Sequence, residues 1–198
     1  MILSIQPSTF VIALKGHPVS ELQLQDCLKS AAHHRWHTEI FWGVNGAVLT
    51  ADSWEDIGVV PLLAKPTMDQ KGSWGCFFSH WKLWHKCVEL NEPIVILEHD
   101  AVIQNTWPHL DLSESIIKLH AHYKPKKIRI DEHTGNWSTS THAYCLSPDH
   151  AKKLINFART VGALPADMFM GDKVVSVSHL GIPELVERQN TVSTTTSL

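Results

Sequence analysis

No stretch of this 198-residue chain approaches the roughly twenty uninterrupted apolar residues that a membrane helix requires. The N-terminal MILSIQPSTFVIAL also lacks the basic leader and small-residue cleavage site of a secretory signal. These two absences set the expectation of a soluble, cytoplasmic protein with no membrane span. Positive charge is not in excess: 17 Lys and Arg stand against 20 Asp and Glu, a net charge of -3, so no broad electrostatic footprint for a polyanion is present. The four cysteines, Cys27, Cys76, Cys87 and Cys145, form no C-x-x-C pair of the kind that signals zinc or redox chemistry, and they are expected to be reduced thiols. Internal repeats are lacking too.

What is present is enough apolar residue, 43%, for one sizeable core, and no visible linker that would divide it. The expected organisation is a single domain over residues 1–190 followed by a loose tail, residues 191–198, rich in Thr and Ser. Fourteen His and eight Trp exceed ordinary usage and favour metal, phosphate or sugar contacts without locating them.

Ser8 to Leu14 is a β-branched and aromatic run closed by Lys15-Gly16-His17-Pro18, which predicts a buried first strand and a turn. Leu24, Cys27, Leu28 and Ala31 mark one face of a helix over Val19 to Trp36, with Ser20 as its early cap. Glu39 to Val44 reads as a second strand ended by Asn45-Gly46. From Ala47 to Lys71 the period is broken by Gly58, Pro61 and Pro66, predicting a loop with short helical turns.

Phe77, Trp81, Trp84 and Val88 recur at helical spacing and place a core-facing stripe on a helix over residues 74–90. Pro93 to Leu97 is short, apolar and β-branched, as a strand buried on both faces should be. A helix over Ser113 to His122, a strand over Lys126 to Asp131, a polar loop through Gly135 and Ser140, and a strand over His142 to Leu146 are expected next. Ser147 as cap and Pro148 as first residue open a further helix that runs to about Arg159 and stops at Gly162, and Val174 to Ser178 is expected to be a strand just before His179. Alternating strands and helices imply an α/β sheet covered by helices, with the ligand in the crevice beyond the carboxyl ends of the strands.

At such an end stands Glu98-His99-Asp100. Two carboxylates two residues apart can reach one hard cation, Mn²⁺ or Mg²⁺, directly or through water, and His99 could add a nitrogen ligand. Such an ion would neutralise charge on a departing diphosphate. Gly72 and Gly75 flank the start of the Trp-rich helix, whose free amides would suit an anion beside Ser79 and His80. Adjacent Ser79 and His80 project about 100° apart on a helix, so they are poorly arranged for Ser-His activation and suit positioning better.

The order of these blocks resembles glycosyltransferase family 25, which includes bacterial lipooligosaccharide and collagen galactosyltransferases. Residues 72–100, GSWGCFFSHWKLWHKCVELNEPIVILEHD, resemble the family's G-C-x-x-S-H, Leu-Trp helix and acidic strand end. Thr141 to Ile155, THAYCLSPDHAKKLI, is similar to its A-Y-x-I-S strand and following helix, and Pro165-Ala166-Asp167 to its P-x-D element. Weaker echoes are FVIALK at 10–15, Gly43 to Gly46, and Pro183 to Gln189. His99 replaces the middle acid of the family's E-D-D, and Lys15 to Pro18 replace its arginine-rich turn.

The resemblance implies a GT-A-like, Rossmann-related fold with a mixed, mainly parallel sheet flanked by helices. It also implies transfer of a hexose, galactose or glucose, from a UDP-sugar to an acceptor hydroxyl with inversion. The donor would be held by Leu14, Lys15, Asn45, Gly46, Gly75, Ser79, His80, Glu98, His99, Thr141 and Tyr144. Glu98, Asp100, His99 and the later His179 would hold the Mn²⁺ or Mg²⁺. An inverting transfer needs a base near the acceptor hydroxyl, for which Asp167 is the first candidate and Asp131 and Glu132 the alternatives. A saccharide or a hydroxylated side chain is the expected acceptor, and the acidic balance disfavours a hydroxymethylated DNA base. The same residues would also serve a nucleotide-sugar-binding module without turnover, or a metal-dependent nucleotide-sugar hydrolase.

Overall fold

A computed structural model of the chain describes residues 2–62, 70–120, 129–131, 133–137, 140–180 and 185–189. The tail over 191–198, Glu132 and the expected strand residues 126–128 lie outside these. A short β1 (Ile2–Leu3) precedes β2 (Ser8–Ala13), α1 (Pro18–His33) and β3 (Glu39–Trp42). Two short turns of helix follow, Gly46–Val48 and α2 (Ala51–Ile57), in the segment where broken periodicity predicts them. The long α3 (Gln70–Leu90) then leads into β4 (Ile94–Glu98).

After β4 the chain forms β5 (Ala101–Ile103), β6 (Leu110–Asp111), β7 (Ile116–Lys118), β8 (Arg129–Asp131), β9 (Gly135–Trp137) and β10 (Ala143–Leu146). It continues with α4 (Pro148–Thr160), a 3-10 turn Ala166–Phe169, β11 (Val177–His179) and β12 (Val186–Arg188).

Six strands make the central sheet in the order β11-β7-β10-β4-β2-β3. Its pairs are parallel except where β10 meets β4 and β7, so β10 alone runs against the other five. This is the mixed, mainly parallel α/β sheet expected. Side chains alternate across it as the two-residue strand period requires. Phe10, Ile12, Ile94, Ile96, Tyr144 and Leu146 join Phe77, Trp81 and Trp84 of α3 and Leu154 of α4 in one core cluster. Val11, Ala13, Val95, Leu97, Ala143 and Cys145 join Leu24, Cys27 and Ala31 of α1 in another. The Phe77, Trp81 and Trp84 stripe is therefore core, and all four cysteines are free thiols.

Three expectations are corrected. The segment 113–120 is not helical: Ile116–Lys118 is a strand between β10 and β11. Covered on both faces, it carries no alternation, and Ile116, Ile117 and Leu119 imitate helical spacing. Gly135 to Trp137 is a strand rather than loop, paired with β8 through Asp131↔Gly135. Ser20 does not cap α1. His17 does, accepting from Ser20 N at 3.3 Å, while the buried Ser20 hydroxyl accepts from Leu14 N at 2.8 Å and fastens the end of β2 to the helix. The cap on α4 is as expected: Ser147 accepts from the His150 amide ahead of Pro148. Gly162, at φ +125°, follows the helix in a conformation that side chains with a Cβ avoid.

Candidate functional site: the carboxyl edge of the sheet

Because β2, β4, β7 and β11 run in one direction and β10 in the other, the ends of the first four and the start of β10 share one edge. Glu98 ends β4, and its amide donates to the His142 carbonyl at 2.8 Å, which places Thr141 and His142 beside it. A cleft of about 450 Å³, part of it open to solvent, lies here. Its walls are Ile12 of β2 and Leu14 just after it, Val44 after β3, Gly72, Gly75, Cys76, Ser79 and His80 of α3, and Glu98-His99. This is where a ligand of an open α/β sheet is expected.

One wall is fixed by close backbone packing. A Cβ on Gly75 would lie 2.6 Å from Gly46 N and from Val44 O, and one on Gly43 would meet the Ser79 hydroxyl at 2.9 Å. Ser79 accepts from Val44 N at 2.9 Å and donates to Gly75 O at 2.7 Å, so its hydroxyl joins the loop to the helix. Asn45 likewise caps the short turn that follows it, accepting from Ala47 N at 2.9 Å. Lys15 is exposed just past β2.

The floor is a polar chain. Cys76, His80 and Trp84 repeat at four-residue spacing on α3 and so share a face. Trp84 Nε1 donates to the Tyr144 hydroxyl at 2.9 Å, and that oxygen lies 2.8 Å from His80 Nδ1. His80 Nε2 lies 3.4 Å from Glu98 Oε1, which also accepts from the Thr141 hydroxyl at 2.6 Å. Tyr144 is fully buried and acts from beneath the cleft. Burial alone would raise the Glu98 pKa. The hydrogen bond from His80 and its charge when protonated, the Thr141 hydroxyl and the charge of His142 together outweigh it and hold the carboxyl well below the usual range. Cys76, His80 and Glu98 bring one ligand atom each within 4.8 Å of one another and could hold a metal ion.

Asp100 is placed differently. It is buried, its Oδ2 accepts from Arg188 Nε at 2.6 Å, and its carbonyl accepts from Gln189 N at 2.9 Å. The pairing of β5 with β12 puts Arg188 opposite Ala101 and so brings the guanidinium there. Asp100 Oδ1 is buried with no hydrogen-bond partner among the described residues. An orphaned carboxylate oxygen fits a bound cation or water. His99 is buried against the cleft.

Asp167 lies in the turn Ala166–Phe169. Burial pushes its carboxyl up, Lys118 draws it down, and Glu98 pushes it up again, with a net rise. Asp131 sits on the separate β8-β9 ribbon. His179 ends β11, with its ring 5.9 Å from that of His120, which in turn lies 4.2 Å from His142. The fully buried Lys118 faces the same side as His120 and pairs in register with Tyr144 and His179.

Cys76, Lys118, His120, His142 and Arg188 thus join the site without having been singled out in the sequence. Lys118 and His120 come to the site through β7 and the residues just after it, a strand that no local pattern marks.

Comparison with known proteins places this arrangement in a sugar-transfer family. Residues 65–170 match glycosyltransferase family 25 (LPS biosynthesis protein), and the chain belongs to that family. It is 28% identical over 144 residues to the lipooligosaccharide biosynthesis protein lex-1 of Haemophilus influenzae, a match covering 61% of this chain and 45% of that protein. It is 40% identical over 68 residues to a glycosyltransferase 25 family member of Aedes aegypti, covering 31% and 11%. The chain therefore matches less than half the length of either relative. Among solved structures, it resembles a glycosyltransferase involved in glycosylation of the major capsid of PBCV-1, with TM-score 0.46 and 10% identity over 88% of this chain and 82% of that one. It also resembles mouse xyloside xylosyltransferase 1, with TM-score 0.43 and 12% identity over 89% and 85%.

Proposed function

We propose that this chain transfers a hexose, galactose or glucose, from a UDP-sugar to the hydroxyl of a saccharide acceptor, with inversion. The observation that carries the reading is the pair of carboxyls at the carboxyl edge whose environments push them apart: Glu98 is held ionised, and Asp167 is raised. That divergence suits one group to fixed contacts with the donor and the other to proton transfer.

In this reading Asp167 takes the proton of the acceptor hydroxyl. The acceptor oxygen forms a bond to the anomeric carbon, and the bond from that carbon to the UDP oxygen breaks, with its electron pair leaving on UDP. Leu14 and Val44 line the donor cleft, and Glu98 is aimed by Thr141 and His80. Asp100, through Oδ1, and Glu98 would hold Mn²⁺ or Mg²⁺, a hard cation that supplies Lewis-acid stabilisation to the diphosphate when bound. Support for a saccharide acceptor comes from the lipooligosaccharide role carried in the name of the Haemophilus relative.

The test is UDP release and acceptor labelling across a panel of nucleotide sugars with Mn²⁺. Asp167→Asn is expected to lower turnover about 10²–10⁴-fold, the usual worth of a general base, while leaving donor binding in place. Binding without turnover would point instead to a silent module, and UDP release without labelled acceptor to a hydrolase. If no donor binds, the proposal falls.

A further inference from the structure

We propose that Cys76, His80 and Glu98 form a site for a soft divalent cation of the zinc class, which competes for Glu98 with the hard cation assigned to Asp100 and Glu98, and that filling it blocks the donor cleft. This goes beyond the transferase reading: Cys76 and His80 are ligands that reading does not use, and Glu98 is shared with its hard-cation site.

The donor set is sulfur, nitrogen and oxygen. A thiolate selects zinc-class ions, whereas Mn²⁺ and Mg²⁺ take oxygen. Spacing supports the assignment. Cys76 and His80 are four residues apart on α3 and face the same way. His80 Nε2 and Glu98 Oε1 are 3.4 Å apart, long for a charge-assisted hydrogen bond, which is about 2.7–2.9 Å. Two ligands at about 2.0–2.1 Å from a tetrahedral zinc are themselves separated by roughly 3.4 Å. Cys76 Sγ completes the group within 4.8 Å. That limit is about 1 Å wider than a zinc-bound S···N edge, a gap that rotation of one side-chain torsion can close.

The remaining coordination position opens onto the cleft, because all three side chains line it. Behind His80, the Tyr144 hydroxyl at 2.8 Å from Nδ1 is the outer partner that metal-bound imidazoles regularly have.

Proton balance follows from the chemistry. In the neutral tautomer that donates Nε2–H to Glu98, His80 Nδ1 accepts from the Tyr144 hydroxyl. On ion uptake His80 remains neutral with its proton on Nδ1, now donated to Tyr144, and Nε2 gives its lone pair to the metal. The Cys76 thiol becomes a thiolate, so one proton leaves per ion bound. Because Glu98 is then committed to the soft ion, zinc inhibits any transfer that uses this carboxylate.

Cobalt(II) titration of the full chain tests this without reference to turnover. One Co²⁺ per chain is expected to bind with a thiolate-to-cobalt charge-transfer band that zinc bleaches. Asp100→Asn should keep the band, Cys76→Ser should abolish it, and Tyr144→Phe should weaken affinity about 10–100-fold, as loss of an outer partner does. Absence of the band in the unaltered chain overturns the proposal, whether or not transferase activity is found. Persistence of the band in Cys76→Ser, or its loss in Asp100→Asn, overturns it equally.

Discussion

Ser79 shows how a residue that reads as chemistry can be architecture. Its hydroxyl satisfies Val44 N and is in turn satisfied by Gly75 O, and it is buried. Ser79→Ala leaves the Val44 amide without that acceptor and is expected to lower unfolding free energy by about 1–3 kcal/mol in denaturant titration. Glu98 gives a second residue-scale prediction. Its pKa is depressed in the folded chain, so the unfolded state binds the proton first as pH falls. The stability it contributes is present above the ordinary carboxylate pKa of 4.5 and is lost as pH drops toward the folded value. Glu98→Gln should therefore flatten the acid limb of a stability-against-pH curve below that point, and an unchanged limb would remove Glu98 as its source. The sequence made Glu98 visible through its place after an apolar strand. It could not show that Thr141 and His80 hold it, because those contacts depend on the register of β10 against β4 and on the rotation of α3.

At the level of elements, legibility followed how much each segment carries its own signal. The helix α4 has Ser147 as cap, Pro148 at its first position and Gly162 after its end, and it lies where those residues put it. Ser147→Ala should cost about 1 kcal/mol, measurable as a lowered denaturation midpoint with an unchanged slope. The helix α3 was legible from its aromatic spacing. By contrast, β7 has three residues and is defined by its neighbours: without β10 on one side and β11 on the other, nothing local distinguishes it from a helical turn. Missing β7 also hid Lys118 and His120, which reach the site only because the strand delivers them there. The same dependence on partners explains why β9 reads as loop and why Arg188, delivered by the pairing of β12 with β5, carries no sign in the sequence of its tie to Asp100.

The whole molecule stores an acid sensitivity at its carboxyl edge. Burial drives the His120 pKa down to about 2, with the charges of His142 and Lys118 adding to the effect, and His142 is lowered as well, chiefly by burial. Burial thus disfavours the protonated form of both imidazoles in the folded chain, whereas each returns to its ordinary value of 6.5 when it unfolds. The unfolded state then binds more protons below that pH, so stability falls as pH falls, by up to about 1.4 kcal/mol per pH unit for each such histidine. Melting temperatures recorded between pH 7.5 and 5, conditions set around that ordinary value of about 6.5, should decline, and His120→Leu should shallow the decline. An equal decline in the variant would remove His120 from the account. A different consequence attaches to the glycines of the cleft wall. With Gly43, Gly46 and Gly75 packed so that no Cβ fits without displacing backbone or Ser79, that wall has almost no mutational freedom. In the proposed transferase reading, selection for a new donor would act more readily through Leu14, Val44 and His99, which line the same cleft outside the glycine wall and the polar chain. Under that reading, a library at those three positions is therefore where altered donor preference is expected to arise.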